Sequence, residues 1–330
     1  MSIGVRAFTV MFGLGAWLTG SVQGTDWPQW RGPQSEGIWR EEGILAKFPS
    51  NGPVVKWRAP IGHGYAGPSV ANGCVYVMDR VTTDPSNACE RVLCLDADKG
   101  SIRWQHAYPC RYNSVGYDIG PRVTPAVAGE KVYTLGVMGD LLCLDAARGN
   151  VVWQKNLPLE YQVKVPPWGY ATQLLVDGPR LYCIVGGTNH AVVALDKDTG
   201  KELWRALSSH EPGYSAPILR TINGVRQLIV LHADGLAGLK PETGEVLWSV
   251  VYPSKMGMAI CTPAVCGDRV CVSGQWDGTA MFQILPGLKE PALLWHANTG
   301  ATPEKPFKTE GMNTVIGVGG LPTMWITPRT

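Results

Sequence analysis

The sequence predicts an all-β chain folded as a β-propeller of four-stranded antiparallel blades, on three observations. A near-copy of one segment, Leu142-Cys143-Leu144-Asp145 through Gly149 to Trp153, recurs along most of the chain. The tryptophans that close the copies stand at 57, 104, 153, 204, 248 and 295, so the steps are 47, 49, 51, 44 and 47 residues. Each period carries several short apolar runs separated by Gly-Asp or Asp-Gly type pairs, with no segment of helical period between them. Four short strands per period of this length is the signature of a propeller blade.

The repeat itself reads as two strands and a turn. Leu141 to Leu144 is a buried strand, Asp145 to Gly149 the turn, and Val151 to Trp153 the start of a partner strand. Asp can cap such a turn by accepting a backbone N–H, and Gly takes the positive φ that closes it. The other copies run from Leu93-Cys94-Leu95-Asp96 to Trp104, from Val193-Ala194-Leu195-Asp196 to Trp204, and from Ala237-Gly238-Leu239-Lys240 to Trp248. A worn copy, Phe282 to Trp295, keeps the Trp and loses the Asp; Val54 to Trp57 looks like the last strand of a unit whose beginning is missing or irregular. Earlier in each period lie the two inner strands, for example Ala126-Val127-Ala128, then Gly129-Glu130, then Val132 to Leu135. The hairpin pairs recur at Asn72-Gly73, Asp177-Gly178, Asp234-Gly235 and Asp277-Gly278.

Residues 1–24 carry Arg6, an apolar stretch from Ala7 to Leu18 and small residues before Gly24, which reads as a secretory signal peptide. Its apolar stretch is too short to span a bilayer comfortably. The expected organisation is therefore a signal peptide at 1–24 and a propeller domain at 25–330, irregular or truncated over 296–330. The expected location is periplasmic or extracellular, with no integral membrane span after cleavage. The chain is 45% hydrophobic and 17% charged with a net charge of +2, which gives no reason to expect nucleic acid as a partner. A monomer is the expectation. Forty glycines and 25 prolines suit strands joined by tight turns.

Of nine cysteines, Cys94 and Cys143 hold one repeat position and Cys183 and Cys271 lie in second strands, where a thiol acts as a small buried hydrophobe. Cys89 and Cys110 lie outside the repeat and are the candidate disulfide.

Trp27-Pro28-Gln29-Trp30-Arg31-Gly32-Pro33 opens the mature chain. Together with the Leu-Asp-Ala-x-x-Gly-x-x-x-Trp repeat it resembles exported proteins with pyrroloquinoline-quinone (PQQ)-like β-propeller repeats, over nearly the whole mature chain. That family includes quinoprotein alcohol dehydrogenases, the propeller lipoprotein of the outer-membrane β-barrel assembly machinery, and many secreted members. The resemblance implies that the repeated Trp docks against the neighbouring blade, a role carried to Trp57, Trp104, Trp153, Trp204, Trp248 and Trp295. Such a Trp buries roughly 150–250 Å², and losing a buried one costs about 3–5 kcal/mol. The family commonly closes with about eight blades. The 305 residues from Asp26 to Thr330 hold a little over six periods, so either about six blades are present or an eight-bladed ring is incomplete.

The dehydrogenase branch holds PQQ with calcium over the axis, with a stacking Trp and a disulfide of adjacent cysteines. No Cys-Cys pair, Cys-x-x-Cys-His module or motif-matched calcium set exists here, and Trp168 and Trp276 read as packing rather than cofactor stackers. His63, His190, His210 and His232 show no metal spacing, and no hydrolase or phosphate-loop motif is present.

Aligning the first strands places Pro68, Pro125, Gln173, Pro217 and Pro263 in one column, and three residues earlier Tyr65, Arg122, Tyr170, Tyr214 and Ile260. The first strand of a blade is innermost, so Tyr65, Arg122, Tyr170 and Tyr214 are expected to ring one mouth of the central channel as a platform for a protein or small ligand. The expected function is a non-catalytic exported scaffold without a cofactor or metal. The alternatives are a PQQ- and calcium-dependent dehydrogenase and a non-functional truncated propeller.

Overall fold

The computed structural model describes residues 25–43, 45–82, 87–274 and 277–297, and the backbone of 314–318 and 321–325. The expected signal peptide, Trp276 and most of 296–330 lie outside these residues.

Five four-stranded antiparallel sheets follow one another along the chain, each in sequential strand order. The first blade comprises β1 (Ser69–Ala71), β2 (Cys74–Thr82), β3 (Ala88–Asp96) and β4 (Ile102–Pro109). The second comprises β5 (Ala126–Ala128), β6 (Lys131–Leu135), β7 (Asp140–Asp145) and β8 (Val151–Asn156). The third comprises β9 (Leu175–Asp177), β10 (Arg180–Ile184), β11 (Val192–Asp196) and β12 (Glu202–Ala206). The fourth comprises β13 (Ile218–Ile222), β14 (Val225–His232), β15 (Gly235–Leu239) and β16 (Val246–Val251). The fifth comprises β17 (Ala264–Cys266), β18 (Arg269–Gly274), β19 (Gly278–Gln283) and β20 (Ala292–Ala297). A further hairpin, β21 (Thr314–Val318) with β22 (Leu321–Trp325), lies beside β17. The described part of the molecule is thus five blades and a hairpin where about six blades were expected. One five-residue helix, α1 (Leu157–Tyr161), interrupts the strand pattern after β8.

The repeated turn behaves as its residues suggest. Asp96, Asp145 and Asp196 each accept two backbone N–H groups, from the second and third residues onward, at 2.8–3.1 Å. In every blade the register between the third and fourth strands shifts just before this turn, at Cys94/Leu95, Cys143/Leu144, Ala194/Leu195, Gly238/Leu239 and Met281/Phe282. A bulge at that point bends the outer strand and sharpens its twist.

The hydrophobic core is divided among the blade junctions. One cluster joins Tyr76, Val92 and Cys94 of the first blade to Val132 and Leu144 of the second. Others join the second blade to the third, the third to the fourth, and the fourth to the fifth. Each blade therefore buries its faces only with its neighbours, as in other repeat folds.

Tryptophan stacks on the next turn's glycine. The Nε1–H of Trp57, Trp104, Trp153 and Trp204 donates to the carbonyls of Ala97, Ala146, Lys197 and Pro241, each directly after the first turn residue of the following unit, at 2.8–3.0 Å. The same rings cover Gly100, Gly149, Gly200 and Gly244, all at positive φ. A Cβ would lie 2.5 Å from the Trp57 ring at Gly100 and 2.8 Å from the Trp153 ring at Gly200. Trp248 departs from this pattern: it is buried, but its Nε1–H donates to Gln227 Oε1 at 2.6 Å within its own blade. Trp295 is 44% exposed and docks on no turn among the described residues.

Candidate functional site: two unlike mouths

The platform residues stand just before the inner strands. Tyr65 N–H donates to Pro121 O at 2.7 Å and Tyr214 N–H to Ala259 O at 2.8 Å, so each is tied to the lead segment of the next blade. Both residues therefore stand at the same level, just ahead of an inner strand. Arg122 lies between them, with its guanidinium 5.5 Å from the Tyr65 ring centroid. Its Nη1 donates to Gly120 O at 2.5 Å and its Nη2 to Gly116 O and Tyr117 O at 2.8 and 2.5 Å. Arg122 thereby holds the loop between β4 and β5 in a closed shape, and desolvation lowers its pKa from the usual arginine value.

That loop completes the platform with residues the column alignment did not contain. Tyr117 packs edge-on against Tyr65 at 6.5 Å between centroids, and Trp168 meets Tyr214 the same way at 5.8 Å. Beneath them, Glu90 is fully buried and accepts from the hydroxyls of Tyr108 and Tyr112 and from Val137 N–H. Burial pushes the Glu90 carboxyl above its ordinary range, against the opposing effect of those three donors. Arg80 stacks on Tyr112 at 4.1 Å and donates to Asp118 O at 2.8 Å. Nothing in the repeat pattern singled out Glu90, Tyr108 or Tyr112 for this support.

Tyr170 does not join the platform. Its N–H turns back to Val137 O of the preceding blade, and its side chain is fully buried in the core between the second and third blades. The same Gly-Tyr dipeptide thus faces the mouth or the core according to which neighbour its backbone bonds.

Cys89 and Cys110, the candidate pair, are both free thiols. Cys89 opposes Pro109 and turns its thiol toward Asn87 O, whereas Cys110 is buried in the field of Glu90 and Asp140. Of the histidines, His63 bridges to Arg80 through the backbone and His190 Nδ1 contacts Gly186 O at 2.8 Å. His210 Nδ1 meets Asp234 Oδ1 at 2.5 Å, and His232 is buried with its pKa lowered to about 4 by desolvation. Among the described residues no three His, Cys, Asp or Glu side chains converge to hold a metal ion.

The opposite mouth is filled by the chain's own N-terminal segment. Trp27 pairs with Val70 of β1 through two backbone bonds of 2.7 and 2.9 Å, and Pro28 O accepts from Val127 of β5 at 2.8 Å. Further along, Gln34 O and Ser35 O accept from Arg220 of β13 at 3.1 and 2.9 Å. Residues 27–37 thus touch the first, second and fourth blades. Cavities of about 260 and 340 Å³ flank this plug, lined by Trp27, Trp30 and Pro68 in one and by Ser35, Asp177 and Arg220 in the other.

Blades of this order, bonded through a tryptophan that docks on the next turn, define a propeller of the PQQ-like repeat class. The family described as outer membrane protein assembly factor BamB matches residues 88–309, and the chain belongs to that family. No curated protein matches the chain. Among solved structures, BamB from Moraxella catarrhalis is 17% identical, covering 80% of this chain and 68% of its own, with a TM-score of 0.48. A europium-containing methanol dehydrogenase is 14% identical over 69% of this chain and 54% of its own, TM-score 0.44. The quinohemoprotein alcohol dehydrogenase from Pseudomonas putida is 16% identical over 67% and 44%, TM-score 0.46. This chain spans about half the length of those two dehydrogenases. No helix among the described residues is long and apolar enough to cross a membrane.

Proposed function

We propose that this chain is a non-catalytic, exported scaffold that binds a protein partner at the mouth formed by Tyr65, Arg122 and Tyr214. The observation that carries the reading is the exposed apolar surface there: Tyr65 is 48% exposed, and Tyr117 and Ile119, on the loop that Arg122 bonds to, are 72% and 45% exposed. Tyrosine and arginine are the residues that dominate protein interfaces. An exposed aromatic surface suits a macromolecule better than a small ligand, which takes a concave pocket. The family description, an outer membrane protein assembly factor, supports a role in holding other proteins. Export from the 1–24 segment and a propeller domain over 25–330 belong to the same proposal.

Photo-crosslinking tests it. A photoreactive residue at Tyr65 or Tyr117, in cells exporting the chain, is expected to give adducts to a discrete protein. The same residue at Leu159, 81% exposed on α1, is the control. Equal adducts from all three positions, or none, would defeat the reading. Melting the purified chain with PQQ and calcium tests the dehydrogenase alternative, since a ligand that binds only the folded state raises the melting temperature; a saturable rise would overturn the scaffold assignment.

A further inference from the structure

We propose that the plugged mouth is a binding site for a small polar oxyanion, a ligand with a phosphate or carboxylate group, held by Arg31 of the plug and Arg220 of β13. This site is distinct from the aromatic mouth, and the plug that completes it lies outside the residues matched to the family.

The argument begins with charge. Five ionic side chains crowd this end of the channel: Arg31, Arg220, Arg226, Glu36 and Asp177. Arg226 and Asp177 neutralise each other through two hydrogen bonds of 2.8 and 2.6 Å. Glu36 is engaged by Arg40 in an ion pair. Arg31 and Arg220 are left without an ion-paired carboxylate among the described residues, although they are near enough for the charge of one to act on the other. Glu36 acts on both, but only through space, while it pairs with Arg40. The two guanidinium groups donate to consecutive plug carbonyls, Arg220 to Ser35 O and Arg31 to Glu36 O, and two desolvated cations so placed are costly unless an anion lies near them.

Hydrogen bonding points the same way. Arg31 Nη2 donates to Glu36 O at 2.9 Å, but Arg31 Nη1 is buried and meets no acceptor. A buried donor on a charged group without a partner is among the more costly features a fold can retain. Arg220 is differently held: Nη1 reaches Gln34 O and Leu219 O, and Nη2 reaches Ser35 O. Those three carbonyls orient the guanidinium without neutralising it. Desolvation is the leading cause that lowers the pKa of both arginines, consistent with a site shielded from bulk water.

The cavity beside Arg220 gives the ligand its character. Its volume is about 340 Å³, larger than a bare phosphate ion requires, and its walls include Gln29, Ser35, Glu36, Asp177, Thr221 and Arg226. Amide and hydroxyl side chains around an arginine suit a compact hydroxylated molecule that carries its charge at one end. The neighbouring 260 Å³ cavity, walled by Trp27, Trp30 and Pro68 beside Arg31, would take any apolar portion.

Calorimetry on the mature chain, with inorganic phosphate and citrate as separate probes at constant ionic strength in chloride, tests this. Saturable binding of either is expected, with a matching rise in melting temperature. Phosphate without citrate identifies a phosphate head, citrate without phosphate a carboxylate, and both outcomes support the site. Arg220→Lys is expected to weaken binding about tenfold or more, because an ammonium cannot hold the plug carbonyls and an oxyanion in one plane. Since that variant also loosens the plug, Glu36→Gln serves as the second: it removes a competing negative charge from a side chain that is ion-paired with Arg40 at the surface, and should tighten binding about threefold or more. Tyr65→Ala at the other mouth should change nothing, whichever way the partner experiment falls. Absence of saturable binding of both probes, or binding that Arg220→Lys and Glu36→Gln both leave unchanged, would overturn the proposal.

Discussion

The first three blades and the fourth use the same tryptophan column in opposite ways. In the first three, the outer-strand Trp faces forward, caps the next turn's glycine and is backed by a tyrosine of its own second strand: Tyr76–Trp104, Tyr133–Trp153 and Tyr182–Trp204 lie 5.9–6.1 Å apart. Tyr182 and Trp204 even share one acceptor, Pro241 O. In the fourth blade Ile229 replaces the tyrosine and Gly238 replaces the Cys or Ala opposite the tryptophan. A Cβ at Gly238 would strike the Trp248 indole, so the glycine is what lets that ring lie flat on its own sheet and reach Gln227. Forward docking is therefore a property of the pair of residues around the tryptophan and of the glycine ahead of it, more than of the tryptophan itself.

Breaking the glycine should have the largest effect. Gly149→Val demands a β-branched residue at φ +73 in a place already filled by the Trp104 ring. Strain at such a position and overpacking each cost about 1–3 kcal/mol, so thermal melting should shift down strongly or lose cooperativity. Gly287, in the turn between β19 and β20 of the fifth blade, also has positive φ, but nothing lies within 4 Å of its Cβ position. Gly287→Val should therefore cost the backbone strain alone, and similar losses at the two sites would undo the contrast.

Removing the ring comes next. Trp204→Ala is expected to cost about 3–5 kcal/mol, because the side chain is buried in the third junction. Trp295→Ala removes a ring that is 44% exposed and docks on no described turn, and should cost about 1 kcal/mol or less. Denaturant midpoints of the two variants decide it.

Acid separates the blades by chemistry. The forward docking bonds join indoles to backbone carbonyls and do not titrate, whereas the fourth blade buries His232 with a pKa of about 4. A histidine whose folded pKa is depressed binds its proton more readily when unfolded, at about 6.5, so stability falls as pH drops from about 6.5 to 4. The interval between those two values corresponds to about 3 kcal/mol at most. His232→Gln should remove that part of the acid sensitivity. The carboxylates of Asp96, held down by Arg103, and Asp196, held down by Thr199, fail only at lower pH, because their pKa values lie below the usual aspartate range.

How much of this was legible in the sequence follows from range. The blades were readable because each repeat is a local hairpin pattern, a short continuously buried apolar strand followed by a turn and a terminal Trp. Tyr65 and Tyr214 stand just ahead of their inner strands, the position that the column of first strands gave them. The burial of Tyr170 was not readable, since nothing local says that its backbone bonds backward to Val137. The aromatic partners of the platform were equally hidden: Tyr117 and Trp168 belong to connecting loops that the repeat does not constrain. The plug was the least legible, because Arg220 meets Gln34 and Ser35 across 186 and 185 residues of chain.

A single hydrogen bond tests the exception itself. Gln227 is buried, its Oε1 accepts the Trp248 indole N–H at 2.6 Å and its Nε2 reaches Ile222 O at 3.4 Å. Gln227→Leu keeps the apolar volume and removes the acceptor, leaving a buried indole donor unsatisfied at a cost of about 1–3 kcal/mol. In a forward-docked blade no single side chain can do this, since the acceptor there is a backbone carbonyl. If Gln227→Leu melts like the parent chain, Trp248 has another acceptor available, and the inward arrangement of the fourth blade rests on Gly238 alone. If it melts lower while Gln227→Glu, which retains an oxygen acceptor, recovers part of the loss, then the glutamine has taken over in one blade the role that the neighbouring turn plays in the other three.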